Sequence, residues 1–274
     1  MTVARFSVFG ASGFIGRNVA AHLAAHGHSV LALTRGNLPP AGTALGHAIY
    51  CIGLTANFRA NLTATARAHV GVLADVIDAY EFESFLYLSS TRVYAGAAQT
   101  GEEESLTVQP NSADQVYNLS KLAGEALCLG QPQSAFRVAR ISNVVGPGDA
   151  PVNFLSSLLE EVRRTRALVV RTSPRSSKDY IDIGDVCRMV ESISLSGKRR
   201  LYNVASGNDT SNAIIAALIE STLGVKPEFA AGAPTTTFPR IDISRVREEF
   251  AFSPAPFEAS FEKLAGSASG KGDR

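Results

Sequence analysis

Gly10, Gly13 and Gly16 constrain this chain more than any other feature. They stand in Gly10-Ala11-Ser12-Gly13-Phe14-Ile15-Gly16, after an apolar, β-rich run at 3–9 and before an amphipathic pattern at 15–26 that Gly27 ends. Glycines at this spacing in a strand-to-helix turn each answer a separate steric demand. Gly10 permits the tight turn, Gly13 lets the backbone approach a pyrophosphate, and Gly16 lets the helix pack closely on the sheet. The helix start behind the loop offers unpaired N–H groups and the positive end of its dipole, so Ser12, Phe14 and Ile15 join the glycines as expected phosphate contacts.

The alternation continues downstream. A second strand is expected at 29–34, a third apolar run at 48–53, a helix at 62–80 and a buried strand at 85–90. A helix at 115–129 and a strand at 136–141 follow. Short apolar strands separated by helices imply an α/β fold, a doubly wound parallel sheet of Rossmann type covered on both faces. Past Ile141 the rhythm weakens: Pro147, Gly148 and Pro151 break the chain, and a helix is expected at 153–166. Val169–Arg171, Leu201–Val204 and a helix near 211–223 follow. The reading is a nucleotide-binding core over 1–146 that takes in parts of 178–205. A smaller C-terminal substrate-binding lobe occupies most of 147–264, and a disordered tail spans 265–274.

The end of the second strand bears on the cofactor. A free ribose 2′-hydroxyl is usually held by a carboxylate about 20 residues past the glycine loop. Here the residues are Leu33-Thr34-Arg35. Thr34 offers no charge, and the planar fork of Arg35 suits a 2′-phosphate, so NADP(H) is expected ahead of NAD(H). Gly53 and Lys121 complete the expected cofactor contacts.

Tyr117 and Lys121 lie four apart on one helical face. A phenol is a weak base at neutrality, and a neighbouring ammonium lowers its pKa, so Lys121 is expected to activate Tyr117 while holding the nicotinamide ribose. Ser89-Ser90-Thr91-Arg92-Val93-Tyr94 ends a buried strand, where a hydroxyl faces the ligand crevice of an open α/β sheet. Ser90 can then hydrogen-bond a substrate oxygen while Tyr117 transfers the proton.

Together these segments resemble the extended short-chain dehydrogenase/reductase family of nucleotide-sugar epimerases, dehydratases and reductases. Arg140-Ile141-Ser142-Asn143-Val144-Val145-Gly146-Pro147, Lys178 through Val186, and Tyr202 through Gly207 are similar to further family segments. The resemblance implies Ser90, Tyr117 and Lys121 as the catalytic set. It also implies Asn143, Asn153 and Lys178, with Arg240, as contacts to a substrate's nucleotide diphosphate. Relatives often pair helices into a dimer, which would use 62–80 and 115–129 here.

Departures from the family narrow the chemistry. Only a dozen residues separate Arg35 from the third strand, so a strand–helix unit is expected to be missing. His69 stands where asparagine is common, read as a structural histidine. Thr91 and Arg92 occupy the positions where 4,6-dehydratases carry acids, and arginine is no general acid at ordinary pH, so dehydration is disfavoured. Thr91 and Arg92 are therefore read as substrate contacts. The expected activity is NADPH-dependent reduction of a 4-keto nucleotide sugar. The alternatives are a 4-epimerase, a reductase of a non-sugar ketone, and a non-catalytic NADP-binding sensor.

Composition excludes other classes. A formal net charge of +1 gives no reason to expect nucleic acid or an acidic membrane surface as partner. No apolar run approaches the roughly 20 residues of a membrane span. Cys51, Cys128 and Cys187 have no metal-ligand spacing and read as buried thiols of a cytoplasmic protein. No metal is expected.

Overall fold

The computed structural model describes residues 3–55, 57–148 and 153–267. Pro151, and the expected tail beyond 267, lie outside them. The first half alternates strand and helix. Strand β1 (Arg5–Phe9) leads through the glycine loop to α1 (Phe14–Ala25), then come β2 (Ser29–Leu33) and β3 (His47–Tyr50). Helices α2 (Leu62–Ala66) and α3 (Val72–Ala79) precede β4 (Ser84–Ser90), α4 (Ala113–Leu129) and β5 (Phe136–Ile141). The second half contains β6 (Asn143–Val145), α5 (Phe154–Thr165), β7 (Val169–Val170), β8 (Ser177–Asp182), α6 (Ile183–Ser196) and β9 (Leu201–Val204). It ends with β10 (Asp209–Ser211), α7 (Asn212–Leu223), β11 (Glu228–Phe229), α8 (Ser244–Phe250) and α9 (Phe257–Ser267).

Six strands form one parallel sheet in the order β2-β1-β3-β4-β5-β9. Its strands are apolar on both faces because helices cover both. Phe6, Val8, Ile49, Leu86 and Leu88 face Val19 and Leu23 of α1 and Val186 and Val190 of α6. Phe9, Ala48, Tyr50, Phe85 and Tyr87 face the opposite way, toward Leu73 and Val76 of α3 and Cys128 of α4. The strand period of two thus feeds two separate helical layers.

Beside this sheet, β10-β8-β6 form a three-stranded sheet and β11-β7 a pair. Their core comprises Leu155, Leu159, Val162, Tyr180, Ile215, Ile219 and Phe261. Residues from the far end of the chain also return to the main sheet, where Ile241, Ile243, Val246 and Phe252 pack on Val204 and its neighbours.

As the short spacing after Arg35 predicts, the loop from Thr34 to Gly46 contains no helix; its one strand contact is an isolated bridge from Ala44 to Glu81, so β2 forms the sheet's edge. Two expectations need adjustment. The expected helix at 62–80 is interrupted by a π turn at Arg67–Gly71, which adds a residue to one turn and rotates His69 into the interior. Residues 265–267 are not part of a tail: they complete α9, where Ala265 is buried against the second core. No helix among the described residues is long and apolar enough to cross a membrane.

A buried polar network ties the carboxyl ends of the strands together. Arg140 on β5 donates to Glu125 on α4, with Nε 3.1 and 3.2 Å and Nη2 2.7 Å from the carboxylate oxygens. Ser89 donates to the same carboxylate at 2.5 Å, Arg140 Nη1 reaches the Tyr94 hydroxyl at 2.7 Å, and Tyr94 donates to Asn203 at 3.0 Å. Strands β4, β5 and β9 are thereby held in register one residue below Ser90.

Candidate active site

A cleft of about 490 Å³ opens at the carboxyl ends of β1, β3, β4 and β5. Its walls come from the glycine loop, from Cys51 to Gly53, from Ser90 to Arg92, from Tyr117 and Lys121, and from Asn143, Asn153 and Lys178. Residues from distant stretches of sequence meet here because parallel strands end on the same side.

At the cofactor end, Gly10 has φ +77°, a left-handed conformation that favours glycine. A Cβ on Gly16 would come 2.3 Å from the Gly10 carbonyl oxygen, so the helix can approach the loop only without a side chain there. Gly13 precedes α1 without a side-chain cap, leaving the first N–H groups of the helix directed at the loop. A Cβ on Gly53 would lie 3.2 Å from His69 Nε2 and 3.6 Å from Lys121 Nζ, so the backbone at Gly53 forms a narrow part of the floor. These features fit a dinucleotide, with the pyrophosphate on the loop and the nicotinamide end toward Lys121.

Thr34 and Arg35 are exposed at the end of β2 and do not line the cleft. Asn37 shapes this turn: its Oδ1 accepts from the Thr34 N–H and hydroxyl at 2.6 and 3.0 Å, and its amide donates to the Ala32 carbonyl at 2.8 Å. Ser12 is likewise exposed at the rim.

The expected chemical set converges. Tyr117 is buried, and Ser90 and Thr55 are the hydroxyl neighbours that act on its phenol. The Arg92 backbone N–H donates to Ser90 Oγ at 3.2 Å, which fixes the serine at the strand end. Lys121 is buried, donates to the Leu88 carbonyl at 2.8 Å and lies 5.0 Å from the Tyr87 ring centre. Burial pushes its pKa down to about 8.

The electrostatics differ from expectation at Tyr117. Burial raises its phenol pKa, while the Ser90 hydroxyl, the charge of Arg92 and the Thr55 hydroxyl oppose that rise. Arg92, whose guanidinium carbon is 5.8 Å from the ring centre, bears on the phenol, while Lys121 donates to Leu88.

His69, whose structural role was expected, is satisfied on one side only. Ser120 donates to the Tyr117 carbonyl at 3.0 Å, so its oxygen accepts from His69 Nδ1 at 2.8 Å. That assigns the proton to Nδ1. Nε2 is left as a bare acceptor, buried without a partner beside Gly53. Burial, and then the charge of Lys121, push the ring's pKa down to about 2, so it is neutral at ordinary pH.

The expected substrate contacts divide. Thr91, Arg92, Asn143, Asn153 and Lys178 line the cleft. Asn143 donates to the Asp179 carbonyl at 2.8 Å, and Asn153 caps α5 by accepting from the Ser156 N–H at 2.8 Å. Arg240 does not reach the cleft. Its Nε donates to the Gly207 carbonyl at 2.6 Å, which holds it over a separate surface hollow.

Sequence reasoning missed Phe58, Arg59 and Asp114. Phe58 is buried 5.0 Å from the Tyr117 ring, and Asp114 binds both Arg59 and Arg92. Tyr117 lies three residues beyond Asp114 on α4, a helical spacing that places both on one face and was the available signal.

A parallel sheet with this glycine loop and crevice defines a nicotinamide-dependent enzyme of the short-chain dehydrogenase type. The chain belongs to the NAD dependent epimerase/dehydratase family, whose pattern matches residues 6–69 and 45–205. Among curated proteins it is 23% identical, over 94% of either chain, to a dTDP-4-dehydro-6-deoxy-D-allose reductase of Streptomyces sp. It is 30% identical to a GDP-6-deoxy-D-mannose reductase of Pseudomonas aeruginosa, over 46% of this chain and 44% of that one. Two solved structures share the fold. RMD from Pseudomonas aeruginosa complexed with NADPH has a TM-score of 0.79 at 24% identity, covering 97% of this chain and 98% of that one. MoeE5 in complex with UDP-glucose and NAD has a TM-score of 0.81 at 18% identity, with the same coverage.

Proposed function

We propose that the chain reduces a 4-keto sugar carried on a nucleoside diphosphate, using NADPH. The observation that carries this reading is the Tyr117–Ser90 pair in the cleft, with Arg92 where water-eliminating relatives place acids. Burial keeps Tyr117 protonated at neutral pH, the form needed to give a proton to a carbonyl oxygen. The relatives named as reductases point the same way. Arg35 at the end of β2, with no carboxylate there, favours the 2′-phosphorylated cofactor.

In this reading Ser90 donates a hydrogen bond to the ketone oxygen and polarises it. Tyr117 gives its phenolic proton to that oxygen as the carbonyl carbon gains a hydride. The cofactor, when bound, supplies that hydride from its nicotinamide and leaves oxidised. Arg92 steadies the phenolate until solvent reprotonates it. Lys121 donates to the nicotinamide ribose while remaining anchored on Leu88, and Lys178, with Asn143 and Asn153, meets the diphosphate.

The test is loss of nicotinamide absorbance with NADPH and a panel of 4-keto nucleotide sugars, with products identified by NMR. Stoichiometric oxidation with one member is expected. Tyr117→Phe should abolish turnover with NADPH affinity nearly unchanged, and a variant that still turns over would remove this mechanism. Inversion of a saturated nucleotide sugar without net NADPH loss would replace the reductase reading with an epimerase.

A further inference from the structure

Beside Tyr117 the cleft carries cations that the reaction above does not need for a diphosphate. Arg92 follows Ser90 by two residues, and its guanidinium carbon lies 5.1 Å from the Phe58 ring centre and 5.8 Å from that of Tyr117. Arg59 covers the same Phe58 ring at 4.6 Å. Planar cations stacked on aromatic faces are held in orientation while their N–H edges stay available. One carboxylate serves both: Asp114 lies 2.5 Å from Arg59 Nε and 3.5 Å from Arg92 Nη2. Arg59 Nη2 donates to Oδ2 at 3.2 Å, and Arg92 has only the longer ion-pair contact. The Nε of Arg92 is buried and has no hydrogen-bond partner. An unpaired buried donor on a charged group is costly, so an acceptor that arrives with substrate recovers that cost.

Lys178 faces the same space. Burial first, then the charges of Arg92 and Arg59, lower its ammonium pKa, and its Nζ rests over the Phe154 ring at 5.1 Å without a carboxylate among the described residues. The carboxylate of Asp179, on the cleft wall, accepts from the Ser206 N–H and hydroxyl and from the Asn208 N–H at 2.9–3.2 Å. Lys178 lies on β8, which pairs with β6 where Asn143 stands, and in the proposed function it meets the diphosphate. Arg92 lies against Tyr117 and shares Phe58 with Arg59, beside the pair that surrounds the reacting carbon.

We propose that Arg59 and Arg92, on the Phe58 shelf, form a second anion subsite that takes a carboxylate on the reacting sugar, one carbon removed from the centre that Ser90 and Tyr117 address. This rests on the nucleotide-sugar reading and names the sugar class: an acidic hexose of uronate type. A guanidinium fork matches a planar carboxylate through two parallel N–H bonds. Asp114 is the stand-in, holding the two arginines together until the substrate's carboxylate takes over the free edge of Arg92.

The test is calorimetric binding to the NADP-saturated protein of matched pairs: UDP-glucose and UDP-glucuronate, GDP-mannose and GDP-mannuronate, dTDP-glucose and dTDP-glucuronate. In at least one pair the uronate should bind about tenfold or more tighter, the worth of one charged hydrogen bond. The more exposed Arg59→Gln should remove most of that preference while leaving the neutral sugar's affinity in place. Asp114→Asn should instead tighten the uronate severalfold, a gain that a purely structural role for Asp114 would not produce. Equal affinity within every pair that binds overturns the subsite and leaves the proposed reductase standing. Equal weakening of UDP and both sugars in Arg59→Gln also overturns it, because the arginines would then serve the diphosphate. If NADPH binds but no nucleotide sugar does, the subsite and the nucleotide-sugar reading fall together.

Discussion

Replacing Glu125 by Gln should cost this protein about 3–5 kcal/mol, the typical penalty for stranding one partner of a buried ion pair. The structure supplies the reason. Both side chains are within a few per cent of full burial, and Arg140 directs three of its N–H contacts at the Glu125 carboxylate. A neutral amide leaves the guanidinium without its counter-charge in a place that water does not reach. It also presents a donor where Arg140 already donates. The Tyr94 contact at 2.7 Å survives but carries no charge to compensate. Glu125→Leu combined with Arg140→Met removes both charges and fills the space with apolar volume, and should return to within about 2 kcal/mol of the parent. Part of the remaining deficit, about 1 kcal/mol, is the acceptor lost by Ser89. Urea unfolding followed by circular dichroism reads both variants, provided the slope against denaturant is unchanged. A single variant within about 1 kcal/mol of the parent, or a double variant no better than the single, would refute the reasoning.

Two further outcomes follow from the cofactor end. Arg35→Ala should weaken NADPH binding much more than NADH binding in a direct titration, and equal losses would remove the 2′-phosphate assignment. Lys121, at a pKa of about 8 in the folded chain, should lose its proton and its hold on the ribose as pH rises past 8, so NADPH affinity should fall there and Lys121→Met should flatten the profile. The sign for stability is opposite: the unfolded lysine binds more protons between about pH 8 and its ordinary value near 10.4, so this group makes the fold more stable as pH rises through that window.

What could be read from the sequence was local. The glycine loop, the Tyr117–Lys121 spacing and the apolar strands are set by neighbours a few residues apart, where steric and periodic rules act directly. The polar contacts that set the chemistry join distant residues. Tyr94 meets Asn203 across 109 residues, and Arg59 meets Asp114 across 55. Helical spacing brings Lys121 near Tyr117 but cannot show that it donates to Leu88, nor that Arg92 stands over the ring. The π turn was also hidden, because one residue's insertion leaves the apolar pattern of 62–80 nearly intact. Arg240 and the start of the tail failed through burial and backbone contacts that composition does not encode.

The short link between β2 and β3 has a kinetic consequence. With β2 at the sheet edge and no helix between Thr34 and Gly46, the adenine end of a dinucleotide meets a bare strand end and a loop. In the proposed reading its grip is then left to the pyrophosphate at the helix start, the 2′-phosphate at Arg35 and the ribose near Lys121. A catalyst that returns its hydride within each cycle gains from never letting go, whereas one that spends a reduced cofactor per turnover must exchange it every time. In the proposed reductase, the short link at this edge suits the second way of working, because few contacts there would hold the spent cofactor.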